Sequence, residues 1–140
     1  MKGQYRIVME IMLFAIGIAI TSFVLVSFQD LQKSTDTIST RNQMDTVLNT
    51  VLNGMVKASL TQNSIVRVEI PPAISGRTYR IFVRDGKNLT AMDSKDPTLN
   101  ASRKIFNIDA PNNRVSGDVT SSARVIEIIY DGNKIIMQRG

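Results

Sequence analysis

Any catalysis by this chain would have to run on carboxylates, lysines or tyrosines. The sequence has neither histidine nor cysteine. Imidazole bases, thiolate nucleophiles, disulfides and the usual zinc sites are therefore excluded, and Ser-His-Asp and Cys-His arrangements with them. Asp93 and Asp96 lie close together, and Asp85 and Asp131 each precede a glycine. A general acid/base pair needs two such groups held in a cleft with shifted pKa values. Asp before Gly is first of all a turn former. Asp93-x-x-Asp96 lacks the alternating ligands and closing glutamate of a calcium loop, and no Gly-rich phosphate loop occurs. The sequence thus predicts a non-enzyme with no catalytic, cofactor or metal residues; a membrane-tethered carboxylate enzyme is the minor alternative.

Glu10 is the carboxylate that most needs a physical account. It lies just inside the edge of a long apolar run, 11–28, that contains no Lys, Arg, Asp or Glu. About 20 helical residues cross a bilayer's hydrocarbon core, and Ile7 and Val8 extend the run on the other side of Glu10. In hydrocarbon a carboxylate is costly unless neutral or paired. It is either hydrated at the headgroup boundary or paired with an amine or basic side chain of a neighbouring subunit. The run is longer than a secretory signal's and ends without a small-residue cleavage pattern, which predicts a retained anchor. Lys2 and Arg6 precede the span, and the segment after it is not basic. The positive-inside bias places the C-terminal part outside the cell.

Three segments follow from the pattern: 1–28, a basic leader and membrane or assembly helix; 29–62, an amphipathic continuation; and 63–140, an extracellular β-domain. Residues 29–60 contain no proline and one glycine, Gly54. From Met44 through Val47, Leu48, Val51, Leu52, Met55, Val56 and Leu60, the apolar spacings describe one helical face. Serines and threonines over 34–40 weaken helical propensity and predict a bend or loosened turn there. The helix as a whole, from about Tyr5 to about Leu60, would be ~80 Å long. From Ile65 the period becomes two. Strands are expected at 65–70, 79–84, 88–92, 104–108, 115–119, 124–130 and 134–138. Hairpins fall at Asp85-Gly86 and Asp131-Gly132, and a turn at 110–113 around Pro111. The fold class is α+β: a long N-terminal membrane-spanning helix, then a small antiparallel sheet or sandwich, one side covered by the Met44–Leu60 face.

The chain carries a net charge of +5. Its basic residues are dispersed, without the clustered Lys/Arg and interleaved aromatics of a nucleic-acid platform; Phe82 between Arg80 and Arg84 is too little. No nucleic-acid partner is expected. Two sequons, Asn88-Leu89-Thr90 and Asn100-Ala101-Ser102, make Asn88 and Asn100 candidate glycan acceptors, with Asn88 expected to be exposed beside a hairpin turn. Within the span, Ile7, Ile11, Phe14, Ile18 and Leu25 are candidate assembly contacts, with Gly17, Ala15 and Ala19 offering close helix approach.

Lys2-Gly3-Gln4, Glu10, the apolar helix to Phe28 and a strand-rich downstream domain together resemble the archaeal type IV pilins and archaellins, including pilin-like and archaellum accessory subunits. The resemblance covers the first thirty residues; over the rest it is architectural. It implies a leader removed by a prepilin peptidase, with Gly3 the last leader residue and Gln4 the first mature one. It also implies apolar helices bundled in a filament with β-rich domains outside, available for adhesion. The family pattern places a glutamate at the fifth mature position; here that residue is Val8 and Glu10 is at the seventh. The implied partners are the membrane, further copies or other pilin-like subunits, the peptidase, and S-layer or other envelope components. The alternative is an uncleaved single-span protein whose external β-domain binds an envelope partner, as archaellum stator proteins do.

Overall fold

A computed structural model describes residues 2–106, 108 and 114–140. Helix α1 runs over Lys2–Ser59. Seven strands follow: β1 Ser64–Glu69, β2 Tyr79–Arg84, β3 Asn88–Asp93, β4 Asn100–Lys104, β5 Arg114–Thr120, β6 Val125–Tyr130 and β7 Lys134–Arg139. The chain divides into two units, 1–37 and 38–140. A long helix followed by a mostly antiparallel sheet is the α+β architecture that the residue pattern predicts.

In the first unit every residue from Gly3 to Asp36 is exposed. The segment over 34–40, expected to loosen, is helical throughout. Thr35 and Thr37 donate to the carbonyls of Leu31 and Lys33, both at 2.9 Å, so these hydroxyls are satisfied on the helix itself rather than competing for its backbone.

In the second unit the helix buries Met44, Val47, Leu48, Val51, Met55 and Ala58, one stripe with spacings of three and four. Each fully buried aliphatic side chain of this kind stabilises the fold by roughly 1.5–3 kcal/mol. Asn42, Asn49, Asn53 and Lys57 face solvent. Leu60, expected on the buried face, lies beyond the helix end and is 80% exposed. The helix stops at a turn where Asn63 takes a φ of 55° and Ser64 Oγ donates to the Ala58 carbonyl at 2.7 Å.

The seven strands form one sheet in the order β1-β6-β7-β5-β2-β3-β4, not a sandwich. Its core face presents Val68, Ile126, Ile128, Ile135, Met137, Val115, Val119, Tyr79, Ile81, Leu89 and Ala91 in the same cluster as the helix stripe. The alternation that predicts the strands is thus the alternation between helix-covered and open faces. Gly54 marks a close crossing: a Cβ there would meet Val68 Cγ2 at 2.6 Å and Ile128 Cδ1 at 2.8 Å.

One pair departs from an all-antiparallel sheet. Residues 114–117 of β5 run parallel to β7, and 118–120 continue antiparallel to β2. Gly117 stands at the handover with a φ of 150°, and a side chain there would strike the Met137 backbone. Such a position admits glycine and little else. β4 is also shifted: it occupies Asn100–Lys104, ahead of the expected 104–108, because Asn100, Ser102 and Lys104 pair in register with Met92, Thr90 and Asn88. The expected turn at 110–113 lies outside the described residues.

Candidate functional site

The Asp-Gly hairpins set the outline of the second unit. Asp85 and Gly86 both take positive φ, 55° and 65°, in the three-residue loop between the paired Arg84 and Asn88, and the Lys87 N–H closes the turn on the Arg84 carbonyl at 3.2 Å. The Asp131 carboxylate accepts the N–H groups of Asn133 and Lys134, both at 2.9 Å, and these bonds hold its pKa below the usual carboxylate value. Asp93 Oδ1 accepts the N–H groups of Lys95 and Asp96 at 2.7 and 3.0 Å, and Asp96 Oδ1 accepts the Thr98 hydroxyl and N–H. The Thr98 bonds lower the Asp96 pKa. Through these Oδ1 bonds the Asp93 and Asp96 carboxylates fold the loop between β3 and β4. Among the described residues no cluster of acidic side chains is arranged to hold a metal ion.

Asp93 is the residue of this group that sequence reasoning undervalued. Its carboxylate is 1% exposed, with Arg77 Nη1 3.8 Å from Oδ2. A buried carboxylate needs such a partner. The signal available in the sequence was the pair of strand-flanking positions, Arg77 just before β2 and Asp93 closing β3, which register brings together.

Several surface groups form ion pairs. Arg80 binds the Asp118 carboxylate through two nitrogens, which raises the arginine pKa further. Arg67 Nε donates to Glu127 Oε1 at 2.9 Å and holds that carboxyl below its usual value, with help from Gln138. Arg80 and Arg84 lie 5.8 and 5.9 Å from the Phe82 ring centre. On the helix side of the sheet, Arg103 Nε donates to Asp45 at 3.1 Å.

What stands out is the first unit. Ile7, Ile11, Phe14, Ile18 and Leu25 are 59, 62, 72, 53 and 59% exposed, and at helical spacing they fall on one face. Gly3, Gln4, Ala15, Gly17 and Ala19 are exposed on the same helix, and no atom stands within 4 Å of where a Cβ on Gly17 would lie. The groove there is floored by Phe14, Gly17, Ile18, Thr21 and Ser22, and Thr21 Oγ1 returns its proton to the Gly17 carbonyl at 2.8 Å. The helix is long and apolar enough to cross a membrane.

Glu10 has a partner in its own chain. Arg6 Nε lies 3.3 Å from Glu10 Oε1, one helical turn away. This pair adds to the two expectations for Glu10, hydration at the headgroup boundary or a cation from a neighbouring subunit, and the four-residue spacing of Arg6 and Glu10 is its readable signal.

Asn88 and Asn100 differ. Asn88 is half-buried in β3, contrary to the exposure expected of it, whereas Asn100 is exposed at the start of β4. The hydroxyls of the two sequons meet, Thr90 Oγ1 and Ser102 Oγ being 3.1 Å apart.

Comparison with family models, with curated proteins and with solved structures gave no match.

Proposed function

We propose that this protein is a structural, self-associating subunit of a pilin-like or archaellum-like surface filament, held in the membrane by residues 7–28 before assembly. The observation that carries the reading is a contrast within one helix. Its second part buries an apolar stripe in its own sheet, whereas its first part is apolar on all sides and leaves every residue exposed. Such a surface is covered by lipid or by other helices. In assembly the helices leave the bilayer and pack on one another, with Gly17 admitting close approach. Lys2 and Arg6 stay on the cytoplasmic side and residues 38–140 face outward, where the sheet's open face serves adhesion or envelope contacts. The reading assigns no catalytic role.

One observation favours the second reading, an uncleaved single-span protein with an envelope-binding domain. Arg6 already neutralises Glu10, so no neighbour's amine is called for. N-terminal sequencing of the mature protein separates the two: a start at Gln4 supports the processed subunit, and a start at Met1 removes it. Self-association has its own test, made clean by the absence of cysteine. Phe14→Cys is expected to give disulfide-linked dimers on oxidation in membranes, while Asn49→Cys, on the solvent side of the domain helix, is not. Equal yields from both would remove specific helix pairing.

A further inference from the structure

Asn88 and Asn100 carry the same three-residue acceptor pattern, but the fold treats them differently. Asn88-Leu89-Thr90 lies in β3, which is hydrogen-bonded to β2 on one side and β4 on the other. Leu89 is fully buried and Thr90 is 7% exposed. Presenting Asn88 to an enzyme would strip two ladders and draw Leu89 out of the core. Asn100-Ala101-Ser102 opens β4, the last strand of the sheet, whose outer side has no neighbouring strand among the described residues. Asn100 and Ser102 are exposed and Ala101 is half-buried. Lifting this segment breaks one ladder and draws out no fully buried side chain of its own. Edge strands are the part of a sheet that opens to another chain most readily. The loop before it is held by short-range bonds, among them Asn100 Nδ2 to the Pro97 carbonyl at 2.8 Å, and by one bond from the helix, Arg41 Nη2 to the Thr98 carbonyl at 3.3 Å.

The surroundings suit a sugar. Asn100 faces Met92 across the ladder, and Phe82 lies one row further along the same open face, paired with Thr90. Both apolar side chains are half-exposed. The C–H faces of the first sugar rings would rest on Met92, with the Phe82 ring, flanked by Arg80 and Arg84, one strand beyond.

We propose that Asn100, and not Asn88, is a site of N-linked glycosylation. The acceptor rests on the reading that residues 38–140 lie outside the cell. In the transfer, Asn100 Nδ2 forms a bond to the anomeric carbon of a lipid-linked phospho-oligosaccharide. The bond from that carbon to the phosphate oxygen breaks, the lipid phosphate leaves with the electron pair, and one Nδ2 proton passes to a base of the transferase.

Trypsin separates the two sites, because cuts after Lys87, Lys95 and Arg103 yield peptides 88–95 and 96–103. Mass spectrometry of the full chain from native membranes is expected to find carbohydrate on 96–103 and none on 88–95. Asn100→Gln is expected to abolish the modification, and Asn88→Gln to leave it intact. In a parallel sample, a membrane-impermeant amine reagent applied to intact cells reads the exposed Lys87, Lys95 and Lys134. Bare 96–103 with labelled lysines overturns the acceptor and leaves the outward placement standing. Unlabelled lysines overturn both, and sugar on 88–95 overturns the choice of Asn100.

Discussion

Two glycines of one helix summarise how differently its two parts are used. Gly17 faces open space, with no atom within 4 Å of where its Cβ would be, whereas Gly54 is pressed against Val68 and Ile128. The chain completes its own packing around Gly54 and leaves the packing around Gly17 to something else. Local sequence looks similar at the two sites: a small residue among aliphatic ones in a helix. What differs is the flanking pattern, which is apolar on all sides around Gly17 and striped around Gly54.

That contrast is most strongly tested in the folded unit by Leu48→Ala. Leu48 is fully buried, and the truncation is expected to destabilise the domain by about 2–5 kcal/mol. Leu25→Ala, on the exposed span, should leave the domain's thermal midpoint in detergent unchanged. A similar loss from both would collapse the distinction. Next in size is Ile18→Lys, which places a charge near mid-span at a cost of about 2.5–3.5 kcal/mol to membrane insertion. Cell fractionation should show the variant depleted from membranes while its domain melts as before.

The glycines themselves come third. Gly54→Ala gains helix propensity of about 1 kcal/mol but forces Val68 and Ile128 aside, an overpacking cost of about 1–3 kcal/mol. A lower thermal midpoint is expected, against none for Gly17→Ala. A stabilised Gly54→Ala would show that the helix is free to lift from the sheet there.

The smallest effect is electrostatic and belongs to the domain alone. Glu127, Asp131 and Asp96 have pKa values lowered in the fold by Arg67, by backbone N–H groups and by Thr98 respectively. A carboxyl depressed on folding contributes stability above its unfolded pKa of about 4, and loses it as pH falls through the lower folded value. The domain's melting temperature should therefore be flat from pH 7 to about 5 and fall below about 4. Glu127→Gln should flatten part of that fall, and by little, since exposed ion pairs are weak.

Much of this was readable from local pattern. The apolar run 11–28, the stripe from Met44 to Met55, the period-two segments and the Asp-Gly turns each report short-range geometry, and with the exception of the strand expected at 104–108 these reappear as elements. Leu60 was misplaced because periodicity does not say where a helix stops; Asn63 and Ser64 do that. β4 was set too late because its polar sequence, Asn100 to Lys104, carries little alternation. It is a strand through its ladder to β3 rather than through its own residues.

By itself the sequence determined the division of labour: one helix, apolar on all sides and then on one side, followed by short strands of period two. Those features follow from side-chain chemistry repeated at the period of the backbone. Tertiary structure decided the single sheet instead of a sandwich, the parallel seam of β5 on β7 at Gly117, and the burial of Asp93 beside Arg77. It also set the difference between Asn88 and Asn100, which share a motif and differ in having two neighbouring strands or one. Strand order is a matter of which non-local ladders form, and no residue carries that information alone.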